Sequence, residues 1–250
     1  MKSLLDYKKN FYRDGFVKIE KLFNKREIGT ILNEINKIKK RFEKIKNPNL
    51  HYTSNNKINT IHDINKFVKN GFLNNLSKDK RIIKITKTIL DDKPRLRNLE
   101  FFLKPKKTGR KAPIHQDNFY WNIPSKKALN IWIACTKSDS KNGGIFYFIK
   151  SHKGGLVDHE LSYQPGTSQK ISSKYIGKMK YKKKYPTLKP GDAIFHHCEV
   201  IHGSNKNNSN NDRIGLVMSF KGLKAKVDIK RWNKYQKNLK LNLNHLAKAN

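Results

Sequence analysis

Pro190-Gly-Asp-Ala-Ile-Phe-His-His-Cys-Glu-Val-Ile-His-Gly-Ser204 begins inside the turn signal Lys189-Pro-Gly-Asp192 and passes at once into an apolar run. Pro and Gly break whatever precedes them, so Ala193–Cys198 reads as a short strand entered from a tight turn. The same punctuation recurs on both sides. Downstream, Arg213-Ile-Gly-Leu-Val-Met-Ser-Phe220 reads as a last core strand. Upstream, Ala128-Leu-Asn-Ile-Trp-Ile-Ala-Cys135 fits a strand buried on one or both faces. Lys141-Asn-Gly-Gly144 is a turn, Ile145–Ile149 a strand, and Ser151-His-Lys-Gly-Gly155 a second turn. Short strands separated in this way, after a helical opening, predict a double-stranded β-helix, that is, a jelly roll.

The N-terminal part carries a different period. Residues 11–19 read as a turn at Asp14-Gly15 leading into a short strand. Asn24 and Glu27 have the spacing of a capping box, and Ile28, Ile31, Leu32, Ile35 and Ile38 keep helical intervals, which predicts a helix over 25–45. Residues 46–60 are polar and Asn-rich and read as a loop. Ser77 is placed to cap a second helix carrying Ile82, Ile83, Ile85 and Ile89 and ending near Asp91. Residues 95–104 read as a strand, followed by Pro105 and a Lys/Gly/Arg loop. At the other end, Trp232, Tyr235, Leu239, Leu243 and Leu246 recur at helical intervals in a basic tail, which predicts a helix packing back on the core. The expected fold class is mainly β with N-terminal helices (α+β), a cupin-like jelly roll flanked by helices. One domain over 1–250 is expected, with a helical section at 1–92, the jelly-roll core at 93–223 and a basic helix at 224–250.

The chemistry starts at Pro113-Ile-His-Gln-Asp-Asn-Phe-Tyr-Trp-Asn122. If this run is a strand, His115 and Asp117 leave the same face. An imidazole and a carboxylate pointing together are two of the three ligands of a 2-His-1-carboxylate iron site. Chance alone yields such a pair in roughly one chain in three of this composition. The signal sharpens with His202 at the end of its apolar run, Ser204 two residues later and Arg213 eleven residues later. In this order and spacing the chain resembles the phytanoyl-CoA dioxygenase family of Fe(II)/2-oxoglutarate oxygenases. The resemblance covers residues 10–222 and is strongest at 113–122, 128–155 and 189–220.

The resemblance implies that His115, Asp117 and His202 are the catalytic metal ligands. It implies 2-oxoglutarate as co-substrate on two of the remaining iron positions and O2 on the third. Arg213 would hold the far carboxylate of 2-oxoglutarate in a bidentate fork, helped by the Ser204 hydroxyl. Gly215 and Ser219, on the same strand face as Arg213, would leave room for the ligand. Trp132 falls at the co-substrate pocket, with core packing as its alternative role. The reaction implied is oxidative decarboxylation to succinate and CO2 coupled to C–H hydroxylation. Related halogenases carry a small residue in place of the carboxylate, so Asp117 implies hydroxylation.

Other side chains carry weaker signals. His196 and His197 are adjacent on a strand and face opposite ways, so at most one of them, as a neighbour of the iron, points inward; Cys198 makes no chelating set with them. His152 reads as structural, and Gln116 and Asn118 should point away from the metal. Phe119, Tyr120, Trp121 and Asn122 either edge the substrate pocket or pack. The segment 174–185 interleaves six Lys with three Tyr. It reads as a surface insertion or, alternatively, as a lid for an anionic substrate.

The chain of 250 residues has a formal charge of +36. Such a charge raises nucleic acid as a partner. Lys, however, outnumbers Arg several-fold and is spread along the chain beside abundant Asn and Ile, a pattern that codon composition alone produces. No apolar run approaches the roughly 18 residues of a membrane span, and the N-terminus has no apolar region of signal-peptide length. Cys135 and Cys198 do not make a disulfide framework and fit a cytoplasmic protein with reduced thiols. Three readings stand: a hydroxylase of a small molecule, where the Lys would favour many anions equally; an oxygenase acting on nucleic acid; and a non-catalytic jelly-roll binding protein. Oligomeric state leaves no mark in the sequence.

Overall fold

The computed structural model describes residues 3–42, 49–68 and 71–248. The chain opens with α1 (Leu4–Asp14), β1 (Phe16–Ile19), α2 (Lys25–Phe42), β2 (Leu50–Tyr52) and β3 (Ile58–Ile61). Three helices follow, α3 (Ile64–Phe67), α4 (Phe72–Leu76) and α5 (Lys80–Leu90). Next come β4 (Pro94–Lys104), β5 (Ala112–His115), α6 (Asn118–Trp121), β6 (Ala128–Ala134) and β7 (Ile145–Phe148). A 3-10 turn at Ser151–Gly154 leads to β8 (His159–Gln164), β9 (Thr167–Ile171), α7 (Ser173–Ile176) and β10 (Lys183–Lys184). The last elements are β11 (Ala193–His197), β12 (His202–Ser204), β13 (Arg213–Gly222) and α8 (Ile229–Lys248).

Two antiparallel sheets face each other in the jelly roll. The larger has the order β1-β11-β6-β13-β4-β3-β2 and the smaller β10-β7-β12-β5, with β8-β9 as a separate hairpin. Alternation along the strands sorts their side chains. Leu129, Ile131 and Ile133 of β6, Leu216, Met218 and Phe220 of β13, and Leu99, Phe101 and Leu103 of β4 pack under α2 and α5 against Ile31, Ile35, Ile82 and Ile89. Burying each such Ile contributes about 1.5–3 kcal/mol, which fixes the helices on this face. The opposite face turns Trp132, Val217 and Ile194 inward toward Tyr147 of the smaller sheet. Both faces of β6 are therefore covered, and the strand reads as one apolar run.

Local signals explain the helix ends. Asn24 and Glu27 form a reciprocal capping box at α2, with N–H···O distances of 2.7 and 3.0 Å. Gly15 closes α1 at φ 89°, and a Cβ there would lie 2.7 Å from the His152 ring, so two requirements converge on glycine.

Several expectations are corrected. Residues 11–14 finish a helix rather than opening a turn. The Asn-rich stretch read as a loop contains the hairpin β2-β3, which extends the edge of the larger sheet; residues 46–48 and 43–45 of the expected loop and helix lie outside the described residues. Asp79, not Ser77, caps α5, its carboxylate accepting from the Arg81 N–H, while Ser77 ends α4. The hairpin β8-β9 had no counterpart in the reading. The Lys/Tyr segment, by contrast, follows its surface-insertion reading rather than the lid alternative: Tyr175, Tyr181 and Tyr185 cover the outer face of the smaller sheet at Phe146 and Phe148. Lys183 there lies 3.7 Å from the Phe146 ring centre. Cys135 and Cys198 are free and buried. No helix among the described residues is long and apolar enough to cross a membrane.

Candidate active site

β12 and β5 pair antiparallel and place His202 directly opposite His115. The strand reading of His115 and Asp117 needs correction, because β5 stops at His115 and Asp117 already has helical dihedrals, φ −60° and ψ −34°. What turns Asp117 inward is the anchoring of its neighbours. The Gln116 amide donates to Gly155 O and Glu199 O at 2.8 and 2.7 Å. The Asn118 amide donates to Ile123 O and Glu199 Oε1 at 3.1 and 2.9 Å. Both point away from the cluster, as expected. Asp117 Oδ1 then lies 3.6 Å from His115 Nε2 and 3.8 Å from His202 Nε2. Ligand atoms of the three residues fall within 4.8 Å of one another, a spacing that suits a single metal ion.

The surrounding hydrogen bonds leave the correct atoms free. His115 Nδ1 faces Pro113 O at 2.7 Å and His202 Nδ1 faces Val200 O at 3.0 Å. A carbonyl can only accept, so each Nδ1 carries the proton and each Nε2 presents its lone pair. Asp117 Oδ2 is engaged by His196 Nε2 at 2.9 Å and Asn130 Nδ2 at 2.8 Å, leaving Oδ1 to face the imidazoles. His196 is therefore the inward member of its pair, while His197 turns to Phe11 and His152 on the other side. Tyr147 OH lies 3.0 Å from His196 Nδ1. Burial raises the Tyr147 hydroxyl well above its ordinary pKa, so it stays a donor. Ser219 bonds Asn130 Oδ1, which fixes the orientation of that amide. Burial would raise Asp117, but the histidines around it, His202, His115 and the hydrogen-bonded His196, hold it well below the carboxylate range. Burial, then His115, push His202 down to about 3. A neutral imidazole and an ionised carboxylate are what a divalent cation requires.

Below the cluster lies Arg213, 1% exposed. Its Nη2 donates to Gly143 O at 2.9 Å, but Nε and Nη1 have no partner. Burial lowers its pKa to about 9, and the guanidinium carbon sits 5.2 Å from the Trp132 ring centre. Lys104 faces Arg213 across β4 and β13 and donates to Ser204 Oγ at 2.6 Å. Burial, reinforced by Arg213, holds the Lys104 ammonium well below its ordinary pKa. A buried cation with two idle donors is costly unless an anion completes it. The expected gap above Gly215 is absent. A Cβ on Gly215 would meet the Trp132 ring at 2.2 Å, so the missing side chain makes room for the indole.

His115, Asp117, His202, Ser204, Arg213 and Trp132 all line one cavity of about 620 Å³. Tyr120 and Trp121 of α6 line it too, and Trp232, Tyr235 and Leu239 of α8 roof it, so α8 packs over the cavity rather than into the helix-sheet core. Phe119 stacks instead on His159, and Asn122 is buried. His152 bonds Tyr12 O at 3.0 Å and is structural. The cavity wall carries three cations, Lys66, Arg97 and Arg213, and three carboxylates, Asp63, Glu100 and Asp117, so the excess Lys does not gather there. Ser219, expected only to leave room for the ligand, bonds Asn130 instead, and Asn130, Tyr147 and Lys104 had no role in the sequence reading. Only Asn130 left a signal there, a lone amide inside a buried apolar strand.

Residues 11–215 match the family described as Phytanoyl-CoA dioxygenase (PhyH). The chain is 24% identical over 243 residues to the ectoine dioxygenase of Bordetella bronchiseptica, covering 87% of this chain and 75% of that protein. It is 30% identical over 125 residues to the peroxisomal phytanoyl-CoA dioxygenase of Bos taurus, covering 47% and 36%. In fold it is similar to EctD from S. alaskensis, solved with 2-oxoglutarate and 5-hydroxyectoine. There the TM-score is 0.75 at 19% identity, over 88% of this chain and 77% of that one. It is also similar to the epimerase SnoN in complex with Fe3+, alpha ketoglutarate and nogalamycin RO, with a TM-score of 0.71 at 20% identity, over 89% and 84%. With its jelly roll and a family match across most of its length, the chain belongs to the phytanoyl-CoA dioxygenase (PhyH) family.

Proposed function

We propose that this protein is a cytoplasmic Fe(II)/2-oxoglutarate-dependent dioxygenase that hydroxylates an unactivated C–H bond of a small organic molecule, with 1–250 as one catalytic unit. The observation that carries the reading is the buried Arg213 guanidinium, two nitrogens unpartnered, in the same cavity as three converging ligand atoms. His115 Nε2, Asp117 Oδ1 and His202 Nε2 would hold Fe(II). Their mixed N/O character suits that ion and leaves one side of it open. Arg213 and Ser204 would hold the far carboxylate of 2-oxoglutarate, with Trp132 as a flat wall. The ionised Asp117 and neutral imidazoles bring one negative charge to a doubly charged ion. Family membership and the ectoine dioxygenase likeness support the same reading. When bound, iron, 2-oxoglutarate and O2 supply the oxidising chemistry: substrate C–H becomes C–OH as 2-oxoglutarate becomes succinate and CO2. The protein's part is orientation and exclusion of water.

Anaerobic titration with Fe(II) and 2-oxoglutarate, followed by the visible charge-transfer band of the chelate, tests this. The band is expected in wild type, lost in Asp117→Ala and weakened in Arg213→Ala. An iron-loaded wild type with no band would rule out 2-oxoglutarate.

A further inference from the structure

β4 and β13 do not stay in step. Ser219 pairs with Asn98, but the next residue, Phe220, pairs with Leu96, and Arg97 is left over as a β-bulge. Leu96 and Leu99 both pack toward the helices, so two residues rather than one lie between them. In regular alternation from Leu99, Arg97 would sit under α5; the bulge sends it with Asn98 into the cavity wall.

Its guanidinium carbon lies 4.7 Å from the Trp121 ring centre. Among the described residues it makes neither an ion pair nor a side-chain hydrogen bond. The neighbouring charges satisfy one another. Asp63 pairs with Lys66 at 2.7 Å. One oxygen of Glu100 takes both His62 Nδ1 at 2.8 Å and Asn98 Nδ2 at 2.7 Å. Arg97 is thus the cation at this end whose side chain has no direct ion-pair or hydrogen-bond partner among the described residues. Burial lowers its pKa, and the attractions that offset this come from Glu100, Asp117 and Asp63, which puts it within electrostatic reach of the ligand carboxylate. Arg213 lies on the neighbouring strand β13, paired with Lys104 at the other end of β4, about 20 Å from Arg97 counted along β4. The cavity therefore has a guanidinium without an ion pair toward each end, and His115, Asp117 and His202 line it as well. Trp121, Tyr120, Trp232 and Tyr235 wall the Arg97 end.

We propose that Arg97 anchors a carboxylate of the substrate itself, so that the substrate is a small organic acid with a flat or compact apolar body. This rests on the reading of the site given above. A single guanidinium fork matches a carboxylate bidentately. The aromatic walls take the body, and the body's far side is presented to the metal ligands.

Calorimetry tests it anaerobically, with Fe(II) and saturating 2-oxoglutarate so that Arg213 is occupied. The probes are phenylacetate, cyclohexanecarboxylate and indole-3-acetate, each beside its primary amide. At least one acid is expected to bind wild type, and its amide about ten-fold more weakly. Arg97→Gln should erase that preference and Arg97→Lys keep part of it, with the 2-oxoglutarate band intact in both. Equal binding of acid and amide, a preference that survives Arg97→Gln, or no binding at millimolar concentration overturns the proposal. So does phenyl phosphate binding where the acids do not, or loss of the band in Arg97→Gln, which would give Arg97 a purely structural role. If wild type itself shows no band, the co-substrate reading has failed separately. The titration without 2-oxoglutarate, on Arg213→Gln, then still reads Arg97.

Discussion

Asp117 has two oxygens with different duties, and its neighbours assign them. His196 and Asn130 occupy Oδ2, so Oδ1 is the oxygen left to face His115 and His202. Removing one neighbour loosens this assignment without touching a ligand. Asn130→Ala is expected to weaken Fe(II) binding by about 10–100-fold, measured against a competing chelator, with an unchanged far-UV circular dichroism spectrum. That His115, Asp117 and His202 would share a cavity with Ser204 and Arg213 was legible because their types and spacing are rare together, whereas Trp132 was placed there by resemblance alone. His196 was legible as one of two neighbours, decided by strand alternation. Lys104 was not: it is one lysine among many until β4 and β13 are put in register. The gap expected above Gly215 was wrong for a related reason, since the indole that fills it comes from Trp132, 83 residues earlier in the chain.

At the scale of elements, helices with a clear apolar period were readable and boundaries set by polar residues were not. Asn24 and Glu27 announced the start of α2. Asp79 and Ser77 are both good caps in isolation; Asp79 wins because its carboxylate also takes the Arg81 side chain at 2.7 and 3.0 Å. Arg81 in turn reaches Glu27 at 2.6 Å, tying the starts of α2 and α5. Asp79→Ala is expected to destabilise the protein by about 1 kcal/mol, read from the urea midpoint, with no effect on the charge-transfer band. The hairpin β2-β3 escaped notice because Asn-rich sequence disfavours strands; pairing with β4 overrides that preference. The bulge at Arg97 leaves no local trace either, being a mismatch between two strands.

On the scale of the whole molecule, the composition says little about the cavity but a good deal about acid. Three histidines are held neutral: burial, partial at His51 and His159 and full at His197, pushes the first two down to about 4 and His197 down to about 3. His159 Nδ1 faces Val157 O and its Nε2 accepts the Gln116 N–H at 3.2 Å. His197 Nδ1 accepts the Glu199 N–H at 3.0 Å. A second proton on either ring would set donor against donor. Folded pKa values below the unfolded value of about 6.5 mean that the unfolded chain takes up protons first. Their contribution is therefore present above pH 6.5 and lost as pH falls toward 4. At pH 5 the metal-free protein should be less stable than at pH 7.5 by about 2 kcal/mol for each of His51 and His159. Urea midpoints at the two pH values check this, and a flat profile would contradict the burial of these rings.

The roof of the cavity has a different standing from its floor. Every group proposed to hold iron or 2-oxoglutarate lies within residues 11–215, the span that matches the family, whereas Trp232, Tyr235 and Leu239 belong to α8, beyond it. Substrate preference can accordingly drift, or be engineered, by exchanging one helix that holds no reacting group. The oxidising machinery would be inherited intact while the molecule it meets is renegotiated at the door.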